Sequence, residues 1–143
     1  MSPKEYLQQA YRIERKIALD KELIKSMRAA LHGRAANYSS DGSQHNPQGN
    51  SVQRAILRVL EYEERINAEI ENLMQKRLEI EEVIDTIPDE TLREILKRRY
   101  LLYQKWELIA EEMHYGLQWV HKLHNLALVK AKEAIESDYA LVV

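Results

Sequence analysis

The sequence predicts an all-α protein: a long antiparallel helical hairpin, coiled-coil-like, followed by a C-terminal helix-turn-helix domain. Three observations lead to this. Leu, Ile, Ala, Glu, Lys, Arg and Gln dominate, all but Ile strong helix formers, with four Gly, three Pro and no Phe. No run of β-branched and aromatic residues is punctuated by turn residues as strands require. Apolar residues recur at alternating spacings of four and three over two long segments, the a/d pattern of a coiled-coil seam.

The first segment spans about Pro3 to Leu31. Pro3 suits a first helical turn, where its missing N–H has no intrahelical role. Tyr6, Ala10, Ile13, Ile17, Asp20, Ile24, Met27 and Leu31 form its seam, and Asp20 is its one polar member. Residues 33–50 hold the turn formers Ser39-Ser40-Asp41-Gly42-Ser43 and Asn46-Pro47-Gln48-Gly49-Asn50, which predict a flexible surface loop. Ser51 can cap a second helix. Its seam runs Val52, Ile56, Val59, Glu63, Ile66, Ile70, Leu73, Arg77, Ile80, Ile84 and Ile87, and Pro88 ends it. The two seams match in length, so the helices are expected to fold back on each other within residues 1–88. That register sets Asp20 near Glu63, an unfavourable pair unless Lys16, Lys21 or a partner chain relieves it. Pairing of the seams between subunits is the competing arrangement.

Residues 89–136 form the second expected domain, and residues 137–143 a tail. Leu92, Ile95, Leu96 and Tyr100 mark one face of a helix over Thr91 to Tyr103. A helix over Trp106 to Met113 follows, then a sharp turn, then a helix from Leu117 to about Ile135. Two helices crossing closely need a small residue in the first, which Ala110 supplies beside Ile109. Met113, Val120 and Leu123 are the remaining packing residues. A helix-turn-helix of this kind lays its second helix in the DNA major groove, with its early residues facing base edges.

Charge supports the division. Residues 1–90 carry 13 Lys and Arg against 16 Asp and Glu, whereas residues 91–132 carry 8 against 4, with three histidines besides. Positive charge therefore concentrates in the segment expected to meet nucleic acid.

Leu92-Arg-Glu-Ile-Leu-Lys-Arg-Arg-Tyr100, Trp106-Glu-Leu-Ile-Ala-Glu-Glu-Met113 and Val120-His-Lys-Leu-His-Asn-Leu-Ala-Leu128 together resemble region 4 of bacterial sigma-70 factors. They are more similar still to small phage-encoded regulators with such a C-terminus, the RinA- and ArpU-type late-transcription activators. The resemblance covers about the last 50 residues well and the helical N-terminal half less specifically. It implies sequence-specific promoter or operator binding, a phage or prophage origin, contact with RNA polymerase and a location in the cytoplasm of a bacterial host cell. Two positions depart from the usual motif: His114 stands where Gly commonly provides a left-handed turn residue, and Gly116 where Ser or Thr commonly caps the recognition helix.

The residues expected to face bases are Leu117, Gln118, Trp119, His121 and Lys122. Gln118 suits adenine, Lys122 guanine or phosphate, and Leu117 a thymine methyl. Trp119 is a contact residue if exposed and a packing residue if buried; both readings stay open. Arg98, Arg99 and Lys105 suit phosphate contacts, which position a protein without reading sequence. A solvated surface face is their alternative role.

Other chemistry lacks a basis. With no cysteine, a disulfide scaffold, a thiolate zinc site and a thiol nucleophile are excluded. His121 and His124 share a helix face but have no convincing third metal ligand. Glu111 and Glu112, like Glu61–Glu64, read as solvated helix surface. No phosphate-binding Gly-rich loop and no Ser/His/Asp arrangement occurs, so neither an enzyme nor a cofactor is expected. No segment approaches the roughly 20 apolar residues needed to span a bilayer, and the N-terminus lacks the apolar core of a signal peptide, which predicts a cytosolic protein. A homo-oligomer is expected, a dimer foremost. Two rival readings are a DNA-packaging protein of the small-terminase kind, which would assemble as a ring, and a sigma-like module that binds polymerase or another protein without DNA.

Overall fold

The computed structural model describes residues 1–41 and 49–142 of the chain, with side chains over 1–33 and 50–137. Its described residues are all-α, in the order α1 (Pro3–Leu7), α2 (Gln9–Asp41), α3 (Gly49–Asp85), α4 (Glu90–Tyr100), α5 (Trp106–Met113) and α6 (Leu117–Val142). The chain divides into two compact units, one of residues 1–13 with 73–143, the other of residues 14–72. The boundary expected at residue 88 thus falls inside the first unit, because both ends of the hairpin belong with the C-terminal helices.

Several element ends differ from the sequence expectation. The single helix expected from Pro3 is parted at Gln8, where the Gln9 side-chain amide donates to the Tyr6 carbonyl at 3.0 Å. The start of α1 is fixed by a capping box: Glu5 N–H donates to Ser2 Oγ at 3.1 Å, and Ser2 N–H to the Glu5 carboxylate at 3.2 Å. The loop expected over 33–50 is shorter at both sides, since α2 continues to Asp41 and α3 begins at Gly49. Ala29, Ala30, Leu31, Arg34, Ala35 and Ala36 outweigh Gly33, whose helix cost is about 1 kcal/mol. The remainder of that loop, residues 42–48, lies outside the described residues. Ser51 accordingly sits within the first turn of α3 rather than at its cap.

At the far end, α3 stops at Asp85, ahead of Pro88. Proline disfavours the helical region for Ile87, and the last turn tightens: Thr86 N–H donates to Val83 O at 3.2 Å and Ile87 N–H to Ile84 O at 3.0 Å. Asp89 then caps α4, accepting from Leu92 N–H at 3.1 Å. The Arg93 guanidinium closes the corner by donating to the carbonyls of Ile87 and Pro88 at 2.6 and 2.9 Å.

In the unit of residues 14–72, Ile17, Ile24, Val59 and Ile66 are buried seam residues. Lys16 pairs with Glu69 at 3.0 Å, and Arg28 pairs with Glu63. These pairs cross from α2 to α3 in opposite chain order, as an antiparallel arrangement within one chain requires. Asp20 is only 7% exposed and its Oδ2 has no hydrogen-bond partner among the described residues, so neither Lys16 nor Lys21 satisfies that oxygen.

The other unit has a large apolar core and a smaller one. Leu7 and Ala10, Ile80, Ile84 and Ile87 from the hairpin ends meet Leu92, Leu96 and Tyr100 of α4 and Ala127 and Ala131 of α6. Helix α6 packs on α4, α1 and α5. Its small residues at 127 and 131, one turn apart, let the helix backbone approach the core closely.

Candidate nucleic-acid interface

Three residues, His114, Tyr115 and Gly116, separate α5 from α6. The pair is joined by a small core in which Ile109, Ala110 and Val120 are buried and Trp106 and Met113 pack against them. Leu123 points elsewhere and packs on the larger core. It thereby ties the second helix of the pair to the body of its unit.

The turn is a complete Schellman motif. His114 adopts φ 58°, ψ 40°; its N–H donates to Glu111 O at 3.2 Å, and Tyr115 N–H donates to Ala110 O at 3.0 Å. His114 thus takes the left-handed role that glycine usually fills. Gly116 carries no such demand. Its carbonyl accepts from Val120 N–H at 3.1 Å, as the residue flanking a helix start does, and a side chain there would meet no atom within 4 Å.

Behind this pair lies a linked polar and aromatic cluster. Tyr100 Oη and His124 Nε2 share a buried hydrogen bond of 2.7 Å. The Trp106 ring meets the His124 ring edge-on at 4.5 Å and the His121 ring at 4.9 Å. The Arg99 guanidinium stacks over Trp106 at 4.4 Å and donates to Gln104 O at 2.9 Å. Burial lowers the pKa of His124 to about 4, helped by the positive charges of Lys4, Arg99 and His121. Burial pushes that of Tyr100 up to about 12, with Arg99 opposing. Both groups are therefore neutral at pH 7, and they lock α4, α5 and α6 together.

The expected phosphate-binding residues divide. Arg98 pairs with Glu94 at 2.9 Å and donates to Gln104 Oε1 at 3.3 Å, so Arg98 and Arg99 both brace the connection between α4 and α5. Lys97 pairs with Asp85 at 2.7 Å, Arg93 serves carbonyls, and Lys130 faces Glu133 at 3.8 Å. Within residues 91–132 the cations left to solvent are Lys105, Lys122 and Lys132, all exposed. Arg93, Arg98 and Arg99 are thus engaged within the chain, and Lys97 and Lys130 sit in surface pairs.

Of the expected base-facing residues, Leu117, Gln118, Trp119, His121 and Lys122 are all exposed. Trp119 is 50% exposed and so is not a core residue. His121 is drawn sideways against Trp106. Asn125, Leu126 and Val129 extend the exposed surface along α6 and were not among the expected contact residues. Asn125 was detectable: it stands seven residues after Gln118 and so returns to the same helix face. No group of three or more potential metal ligands comes together among the described residues. Nor is any described helix long and apolar enough to cross a membrane.

No family model, no curated protein and no solved structure matches this chain.

Proposed function

We propose that this protein is a sequence-specific double-stranded DNA-binding transcriptional regulator that inserts the start of α6 into the major groove. The observation that carries the reading is the α5–turn–α6 unit: a three-residue turn held by His114 in the left-handed conformation, and beyond it a helix whose exposed side begins Leu117, Gln118, Trp119 and Lys122. Lys105 and Lys122 supply phosphate contacts without first breaking an internal pair, and Lys132 extends that set. The resemblance to sigma region 4 and to phage late-transcription activators supports a role at promoters, a phage or prophage origin and contact with bacterial RNA polymerase. The hairpin of α2 and α3 serves to pair subunits, and a symmetric dimer reads two half-sites.

The test is retention of fragments from the source genome on the protein, followed by footprinting at two salt concentrations. A discrete protected site upstream of a gene, with affinity falling as salt rises, is the expected result. Protection at a packaging origin by a ring assembly would replace transcription with DNA packaging. Failure to retain any fragment in preference to others would remove the reading.

A second reading draws on one observation: Trp119, Leu126 and Val129 expose apolar surface along α6. A module that uses this surface to bind polymerase or another protein, without DNA, would retain that partner and no duplex.

A further inference from the structure

We infer that Asn125 is a second base-reading residue, and that with Gln118 it makes the protein select two adenines about three base pairs apart. This rests on the reading of α6 as a major-groove helix. The inner side of α6 is fixed by Val120, His124, Ala127 and Ala131, all buried. At about 100° per residue, the opposite side carries Gln118, Lys122 and Val129, with Asn125 and Leu126 about 50° to either side of its middle. Gln118, Lys122 and Asn125 are exposed, and none of the three makes a hydrogen bond within the protein among the described residues.

Chemistry then separates these three from their neighbours. His121 is held against Trp106. Trp119 lies toward the flank of the exposed side. Val129 is apolar and offers a base edge no hydrogen bond. Gln118 and Asn125 carry primary amides, each a donor and an acceptor side by side, the pattern complementary to adenine N6 and N7. Seven residues bring the two amides to within about 20° on the helix surface. Their separation along the axis is about 10.5 Å, which matches about three base-pair steps of 3.4 Å. Lys122 lies between them, placed for a guanine or a phosphate.

Asn125 contributes little to the fold. Asparagine is a poor helix former that prefers caps and turns, where its side chain bonds nearby backbone. Here it stands in mid-helix, exposed, with no such bond. Replacing it by alanine therefore leaves folding intact, and any change in binding reports on contact.

The experiment is selection of bound sequences from a randomised duplex library by the full-length protein, compared with Asn125→Ala and Gln118→Ala. The wild-type selection is expected to contain two adenines about three base pairs apart. Asn125→Ala should lose preference at one of them and Gln118→Ala at the other, each loss being about 5- to 150-fold in affinity for the adenine-bearing site. Unchanged preference in Asn125→Ala, or loss of preference for a base other than adenine, overturns the assignment while leaving the DNA-binding reading in place. No enriched sequence for the wild-type protein overturns that reading, and the assignment with it. Matching thermal melting curves for the three proteins confirm that contact, not folding, is being read.

Discussion

His114 is a histidine in a conformation that glycine occupies more easily. Its φ of 58° places Cβ against the following carbonyl, yet the two hydrogen bonds of the Schellman turn hold it there. Glycine would relieve that crowding but bring more freedom to the unfolded chain. The balance favours glycine, so His114→Gly should raise stability by about 0.5–1 kcal/mol, readable as an increase in Tm of a few degrees; a lower Tm would mean the imidazole makes a contact that outweighs the strain. His124 makes a prediction of opposite character. Its folded pKa of about 4 lies below the ordinary 6.5, so between these values the unfolded chain binds more protons than the folded one. The stability contributed by neutral His124 is fully present above about pH 6.5. It is lost progressively as pH falls towards 4, by up to about 3 kcal/mol. Denaturant melts across that window should show the loss, and His124→Gln should flatten the slope. An equal slope in the variant would assign the pH dependence to other groups.

Asp20 and Ala110 show opposite packing conditions at the level of elements. Asp20 occupies a seam position between α2 and α3 with one carboxylate oxygen buried and unbonded. Lys16 and Arg28, on the same helix, pair with Glu69 and Glu63. Burying a polar atom without a partner costs about 1–3 kcal/mol, and a single polar seam residue commonly fixes register at such a cost. Asp20→Leu should stabilise the helix pair by a similar amount, to be seen by chemical denaturation. If stability falls instead, the carboxylate has a partner in solution. Ala110 lies where α5 meets α6, buried beside Ile109 and Val120. Ala110→Leu should overpack that contact and destabilise the unit by roughly 1–3 kcal/mol; an unshifted melting curve would mean the two helices do not approach closely there.

For the molecule as a whole, the proposed DNA binding makes a prediction that rests on charge. If only Lys105, Lys122 and Lys132 neutralise phosphates, the slope of log K against log salt should be about −3 per bound chain, each contact contributing about 0.9. If Arg98 and Arg99 also leave Gln104, Glu94 and Trp106, the slope should steepen to about −5. Filter binding of a footprinted site over a salt series distinguishes the two, and a slope near zero would remove phosphate contact altogether.

Composition and period were enough for the all-α class and the order of the long helices, because helical seams are local: each apolar residue is placed by neighbours three and four positions away. The α5 bounds, the left-handed turn residue and the small residue at 110 were equally legible, since turn and crossing constraints act over a few positions. Tertiary structure decided the rest. It gathered the hairpin ends into the core of the C-terminal helices, one cluster that holds residues as distant in sequence as Leu7 and Ala131. It placed Trp106 between Arg99 and two histidines, and it committed Arg98 and Arg99 to bracing the α4–α5 connection rather than to the surface. A sequence records that a cation exists; only the folded chain determines whether an internal acceptor or the solvent holds it.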